Sequence, residues 1–363
     1  MKIGVLTRRF GHNLGSSLQA FAMSEMLKQL GHEVEIIDYD ESAAHIIWKI
    51  RPIIEHFQFK YPLPLWKGKR HYLSVRLNQE KRFADFEFRY LPLSLNKCCS
   101  PKSLWNQAKD YKKIVVGSDQ IWSPFLYDPN FYGAFVPKVE KHRLVAYAPS
   151  IGTSNPNEIT PEQIKYINEI PNISCREEVG AKLISNLIQR EVPVVLDPTL
   201  MVEKSTWYKI ADSHKIDGLP ERYLLTYFLG TDTHKEALEL LATKTKSKIV
   251  NIAMFNKPNS LSIQCYKTIT DLGPAEFLYL VKNATYVATD SFHATIFSWI
   301  FNTDFTVFER FKEGDRQNQN SRIYSLLSIL GCEGHLHNSP NNDTLGFFEQ
   351  LKYKSLRFLI DNI

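Results

Sequence analysis

Five segments carry side chains able to do chemistry, and four of them lie where an apolar run meets a polar turn. His293, in TDSFHATIFSW, opens an apolar helix directly after a strand. In that first turn the imidazole faces the cleft beyond the carboxyl ends of the strands, and its pKa range suits proton transfer near neutrality. Asp119, in VVGSDQIW, ends a strand so apolar that the carboxylate must emerge at the sheet edge. There it can act as a general base, orient a hydroxyl, or cap the next segment through its oxygen. Trp122, three residues on, is placed to stack on a sugar face.

Arg176 terminates the short apolar strand of ISCREE. A guanidinium at a strand end is a fork for carboxylate or phosphate, or else a partner for Glu177, Glu178 or another acid. The stretch GHNLGSS, residues 11–17, reads as a loop leading into a helix. Unpaired backbone N–H groups and the positive dipole end at such a place receive a phosphate or carboxylate, with Gly15 allowing close approach and Asn13, Ser16 and Ser17 adding donors. The same residues also make an ordinary turn and cap, and the absence of GxGxxG gives no support to a nicotinamide cofactor. Last, FERFKEGDRQNQNSRI, residues 308–323, lacks periodicity and is expected to be a mobile or plainly solvated loop. Its Arg310, Lys312, Arg316 and Arg322 can close over an anion.

Placing these groups requires strands and helices in alternation. MKIGVLT, the helix in SLQAFAMSEMLKQLG with Gly31 as its stop, and VEIIDY make a βαβ unit, which implies a parallel sheet. The series continues through KKIVVGSD, LVAYAPSIG, ISCREE, a helix over 178–189 and the strand VPVVLDPT. A second series starts at YLLTYFLG and runs through helices near 233–244 and 274–282, the strands KIVNIAM and YVATDS, the helix FHATIFSWIF and the strand FTVFE. With 363 residues, too many for one growing core, this reads as an N-terminal Rossmann-like domain over 1–205 and a C-terminal one over 206–363, both doubly wound and facing a cleft.

Composition sets the outer limits. Five scattered cysteines without a CxxC pair indicate reduced thiols and no metal site. No secretory pattern opens the chain and no run of about 18 apolar residues occurs, so a cytoplasmic protein is expected, at most peripheral at the inner membrane face. The net charge of +5 is concentrated in 45–72, where Lys49, Arg51, Lys60, Lys67, Lys69 and Arg70 face the single acid Glu55. Trp48, Phe57, Phe59, Tyr61, Trp66 and Tyr72 are interleaved with them. That mixture fits either a peripheral membrane contact or an insertion packed on the domain, and it is too narrow a basic footprint for nucleic acid.

In order along the chain, NLGSSLQAFAMSEML, VGSDQIWSP, YAPSIG, ISCREEVGAKLI, VLDPTLMVEKSTWYKI, GPAEFLYLVKNATYVATDSFHATIFSWIF and NSRIYSLLSILG resemble the polysaccharide pyruvyl transferase family. The resemblance implies two Rossmann-like domains similar to a GT-B glycosyltransferase, with the donor in the cleft. It implies transfer of pyruvate from phosphoenolpyruvate, as co-substrate, onto two hydroxyls of a nucleotide-linked or lipid-linked sugar in capsule or exopolysaccharide biosynthesis, with no metal or organic cofactor. By position, Arg176 matches the family's donor-binding arginine and His293 its essential histidine, which contacts phosphate or acts as general acid; Asp119 is the candidate for the acceptor hydroxyl. Where several members carry an arginine two residues before that histidine, this chain has Ser291, and Arg322 or Arg316 is expected to supply the missing charge. The rival readings on the same architecture are a glycosyltransferase using a nucleotide sugar and a non-catalytic anion-binding protein.

Overall fold

Apolar runs of two to five residues, too short for helices, become the strands of two parallel sheets. The structure is a computed structural model describing residues 1–9, 13–40, 65–232, 234–253, 263–312, 314–315, 318–340 and 342–363, with side chains of 65–74 left aside. In the first sheet, β1 (Lys2–Leu6), β2 (Glu33–Ile36), β3 (Lys113–Val116), β4 (Leu144–Ala146) and β5 (Asn172–Ile173) run in the order β2-β1-β3-β4-β5. In the second, β6 (Tyr223–Tyr227), β7 (Lys248–Ile252), β8 (Lys267–Ile269), β9 (Tyr286–Thr289) and β10 (Phe305–Val307) run in the order β10-β9-β6-β7-β8. Every pairing in both is parallel. The two doubly wound, Rossmann-like domains expected from the alternation are therefore present. The strand order reverses between β1 and β3 and between β6 and β9, and those switch points are where such sheets keep their ligands.

The helices are α1 (Leu14–Gln29), α2 (Leu65–Tyr90), α3 (Pro101–Ala108), α4 (Pro161–Glu169), α5 (Glu178–Ile188), α6 (Lys204–Asp212), α7 (Lys235–Thr245), α8 (Pro274–Asn283), α9 (Phe292–Phe301), α10 (Ser321–Leu330) and α11 (Phe348–Asn362). Helix α1 is buried continuously from Leu14 to Ser24 because it lies between the domains, on its own sheet and against α8 and α9 of the other. It starts earlier than the sequence suggests: Asn13 is its N-cap, its side chain accepting from Gly15 N at 3.0 Å and Ser16 N at 3.3 Å. Gly15, Ser16 and Ser17 thus form the first helical turn instead of a loop.

Other departures have equally local causes. VPVVLDPT joins the first sheet only through the pairing of Val194 with Cys175, since Pro193 and Pro198 have no N–H to extend a ladder. The end of the supposed mobile loop is helical, as α10 begins at Ser321, and Asn320 binds the loop back on itself through Arg310 N, Phe311 N and Phe311 O. The basic aromatic stretch of 45–72 lies outside the described residues up to position 64 and then enters α2. Among the described residues no helix is long and apolar enough to cross a membrane.

Three aromatic rings hold the domain junction. Trp207 of α6, fully buried, packs edge-on between Phe21 of α1 at 5.4 Å and Phe297 of α9 at 4.8 Å, and its Nε1 donates to Thr199 O at 3.2 Å. At the far end of the chain α11 returns to the first domain, where Ser355 Oγ accepts from Leu196 N at 2.8 Å. Truncating a buried aromatic at such a point removes contacts on both sides and leaves a cavity, costing about 3–5 kcal/mol. Trp207→Ala is therefore expected to lower the unfolding free energy by that amount, read as a lower urea midpoint at constant m-value; an unchanged midpoint would contradict this account of the junction.

Candidate active site

Both switch points open onto one cluster of side chains. The first domain contributes the start of α1, the turn after β3, the segments after β4 and β5, and Asp197; the second contributes the starts of α9 and α10 and the segment after β10. The turn after β3 is shaped by its backbone. Gly117 has φ +126°, the Gly117–Ser118 peptide is cis, and Asp119 is left-handed at φ 65°. A Cβ on Gly117 would overlap the Tyr147 carbonyl oxygen, so only glycine fits. Gln19 of α1 fastens this turn: its Oε1 accepts from Ser118 N at 3.2 Å and Ser118 Oγ at 2.7 Å, while its Nε2 donates to Thr7 Oγ1 at 2.8 Å and Ser16 O at 2.9 Å. One fully buried amide thereby pins the chain after β1 to the turn after β3.

Asp119 Oδ2 accepts from Ser16 Oγ at 2.6 Å, and Oδ1 faces Arg176 Nη1 at 3.4 Å. Burial pushes its pKa up, but the charges of Arg176 and His293 and the Ser16 hydrogen bond outweigh that and hold it at about 2. The carboxylate is thus ionised near neutral pH and a weak base. Arg176 is 4% exposed. Its Nη1 donates to Asp197 Oδ2 at 2.8 Å, its guanidinium lies 4.2 Å from the centre of the Phe292 ring, and its Nε is 3.9 Å from Glu177 Oε2. Burial disfavours its charge, yet Asp197, Asp119 and Glu177 together raise its pKa above the ordinary value. Nε and Nη2 make no hydrogen bond, although buried N–H groups are nearly always paired.

His293 stands in the first turn of α9, 8% exposed. Its Nε2 makes no hydrogen bond and lies 3.8 Å from Asp197 Oδ2, which shares that oxygen with Arg176. Its Nδ1 edge rests on Gly15, where a Cβ would overlap the ring. Burial lowers its pKa, Asp197 and Asp119 oppose this, and the net shift is below the ordinary value, leaving a neutral imidazole near pH 7. Ser291, the N-cap of α9, spends its oxygen on Ala294 N at 3.4 Å and brings no charge.

Arg322 does join the cluster. It is buried in α10, and its Nη2 donates to Gln319 Oε1 at 2.8 Å, an oxygen that also accepts from Gln120 Nε2 of the first domain at 2.6 Å. Burial, then the charges of Arg176 and Arg310, push its pKa down to about 9. Burial is the larger cause and the neighbouring guanidinium groups add to it; an anion brought between those groups would relieve the second part. Arg316 lies outside the described residues. Trp122 does not take the role expected of it: it is 0% exposed, stacked on Tyr132 at 5.8 Å, with Nε1 donating to Phe131 O at 3.1 Å, so it is a core residue that no sugar can reach. The aromatic segment after it, including Phe131 and Tyr132, folds over the ring. Asp197 and Gln19 were missed as site residues; for Asp197 the visible signal was DPT after an apolar run. Among the described residues no group of three or more His, Cys, Asp or Glu is arranged to hold a metal ion. A groove of about 710 Å³, lined by Val192, Val194, Ile329, Phe347, Leu351 and Tyr353, contains none of the catalytic candidates.

Two outcomes follow from these electrostatics. A carboxylate held at about 2 instead of its usual 3.8 stabilises the native state above the unfolded value, and that contribution, about 2 kcal/mol, is lost as pH falls toward 2. Asp119→Asn should therefore cost stability at pH 7 and progressively less below pH 4 in urea titrations; an equal cost at pH 7 and pH 2.5 would contradict it. For His293, an NMR titration of the ring should give a midpoint below 6.5, and Asp197→Asn, which removes a charge that favours the imidazolium, should lower it further. A midpoint raised by that substitution would be inconsistent with the arrangement.

No curated protein matches the chain. Among solved structures, UDP-GlcNAc 2-epimerase from Neisseria meningitidis bound to UDP-GlcNAc is similar with TM-score 0.50 and 12% identity, over 99% of this chain and 92% of that one. UDP-GlcNAc 2-epimerase from Methanocaldococcus jannaschii in complex with UDP-GlcNAc and UDP is similar with TM-score 0.50 and 13% identity, over 99% and 100%. At such identities the likeness establishes a GT-B-type two-domain fold. The family described as polysaccharide pyruvyl transferase matches residues 13–310, which include Gly15, Asp119, Arg176, Asp197, His293 and Arg310, and on that match the chain belongs to the polysaccharide pyruvyl transferase family.

Proposed function

We propose that this protein transfers pyruvate from phosphoenolpyruvate to a sugar, as a cyclic ketal, during capsule or exopolysaccharide assembly. The observation that carries the reading is that Arg176 and Arg322 line one cleft with Asp197 and Phe292, with buried N–H groups of Arg176 that have no partner within the protein. Phosphoenolpyruvate carries a carboxylate and a phosphate on adjacent positions, which suits two guanidinium forks better than one. Arg322 supplies the charge that Ser291 lacks.

The reaction forms two bonds from sugar oxygens to C2 of the enolpyruvate, breaks the bond from C2 to the phosphate oxygen, and adds a proton to the methylene carbon. Two hydroxyl protons are released, so one goes to that carbon and the other leaves with phosphate. A neutral His293 takes the first hydroxyl proton at Nε2. The imidazolium so formed faces Asp197 and hands its proton to the methylene carbon. Asp119, with its pKa held low, does not remove protons; it fixes Ser16 and Arg176 and orients the acceptor. The acceptor is a nucleotide-linked or lipid-linked sugar, and no metal or organic cofactor takes part.

Calorimetry with phosphoenolpyruvate tests the donor. Wild type should bind it, and Arg176→Ala and Arg322→Ala should each weaken binding about 10–100-fold, as expected for loss of a charge-assisted hydrogen bond of about 1.5–3 kcal/mol. Binding unchanged in both variants, or binding of a nucleotide sugar in place of phosphoenolpyruvate, would overturn the reading and favour a glycosyltransferase.

A further inference from the structure

The switch point of the second domain holds an anion of the protein's own. After β6 the chain turns at Phe228, Leu229 and Gly230, and two successive amides point at one carboxylate: Leu229 N donates to Asp290 Oδ1 at 2.7 Å and Gly230 N to Asp290 Oδ2 at 2.6 Å. Asp290 comes from the end of β9, so its side chain spans the gap between β6 and β9 and is itself buried. Arg310 completes the seat, its Nη2 donating to Asp290 O at 2.8 Å and its Nε lying 3.4 Å from Asp290 Oδ2. Gly230 allows the approach, because a Cβ there would stand 2.9 Å from Asp290 Oδ2 and 3.1 Å from Arg310 Cγ.

Paired backbone amides backed by a guanidinium at a switch point are what a doubly wound domain offers to phosphate. Here both amides are already bound to a carboxylate that a phosphate would have to displace. We propose that Asp290 is a specificity-determining residue: by filling this seat it closes the second domain to a nucleoside diphosphate and leaves the Arg176 and Arg322 cluster as the place where a donor anion binds. A nucleoside diphosphate entering the seat would meet like charge from Asp290 and would lose the two amides as donors. The inference concerns the second domain's own seat and does not require phosphoenolpyruvate to be the donor.

Calorimetry with UDP on wild type, Asp290→Ala and Asp290→Asn tests it. Wild type should give no measurable UDP binding at millimolar concentration. Asp290→Ala should gain at least tenfold in affinity, and Asp290→Asn, which keeps the shape of the side chain but not its charge, should gain severalfold. Adding Arg310→Ala to Asp290→Ala should remove the gain, whereas adding Arg176→Ala should preserve it. The proposal is overturned if wild type binds UDP as tightly as Asp290→Ala, or if Arg176→Ala abolishes the gain. If Asp290→Ala gives no cooperative melt, Asp290→Asn decides, and no gain in that folded variant also overturns it. Phosphoenolpyruvate titrated in parallel separates the two ideas, since its failure to bind wild type would remove the donor reading and leave the UDP comparison standing.

Discussion

A guanidinium removed from water has to be surrounded by acceptors, and the site is organised by how Arg176 meets that demand. Losing hydration costs several kcal/mol for an isolated ion, and breaking a buried pair costs about 3–5 kcal/mol. Asp197 from one segment and Asp119 from another answer the charge, and Phe292 from the second domain covers its face. Three separate stretches of chain are thereby fixed to one group. Part of that group is left over, because Nε and Nη2 are buried without a hydrogen bond. In a folded protein such leftover capacity is met by ordered water, an ion or a ligand.

Helix α1 transmits the same constraint across the domain boundary. A helix buried on all sides needs a partner on each, and α1 has its own sheet on one side and α8 and α9 on the other. Its first turn consequently meets both halves of the site: Ser16 binds Asp119, and Gly15 supports the edge of His293. Gln19, one turn further along, ties the strand ends together. The elements that build the fold and those that place the chemistry are the same residues within about two helical turns.

Much of this was legible in the sequence. Alternating apolar runs and polar turns disclosed the two parallel domains, and His293 stands in the first turn of a helix after a strand, as TDSFHATIFSW suggests. Ser291 was visible as a position without charge, and Arg322 as a cation, which the fold buries in the same cleft as Arg176. What escaped was every feature decided by contact between distant segments. Asp197 gains its importance only by facing Arg176 and His293, Gln19 by bridging two loops, and Asp290 by reaching amides sixty residues earlier. Trp122 was misread for the same reason, since nothing local shows that Phe131 and Tyr132 fold back over it. The boundary of α1 was misplaced because glycine and serine speak for a loop, while close packing against His293 asks for a small residue in a helix.

The central claim is that a small donor carrying a carboxylate and a phosphate binds between the domains on Arg176 and Arg322, next to a neutral His293. A crystal structure of the protein grown with phosphoenolpyruvate measures this most directly. The account predicts the ligand within hydrogen-bond distance of Arg176 Nε or Nη2 and of the Arg322 guanidinium, with its methylene carbon on the His293 Nε2 side. Phosphoenolpyruvate found at the Leu229 and Gly230 amides with Asp290 displaced, or bound without contact to Arg176, would contradict it.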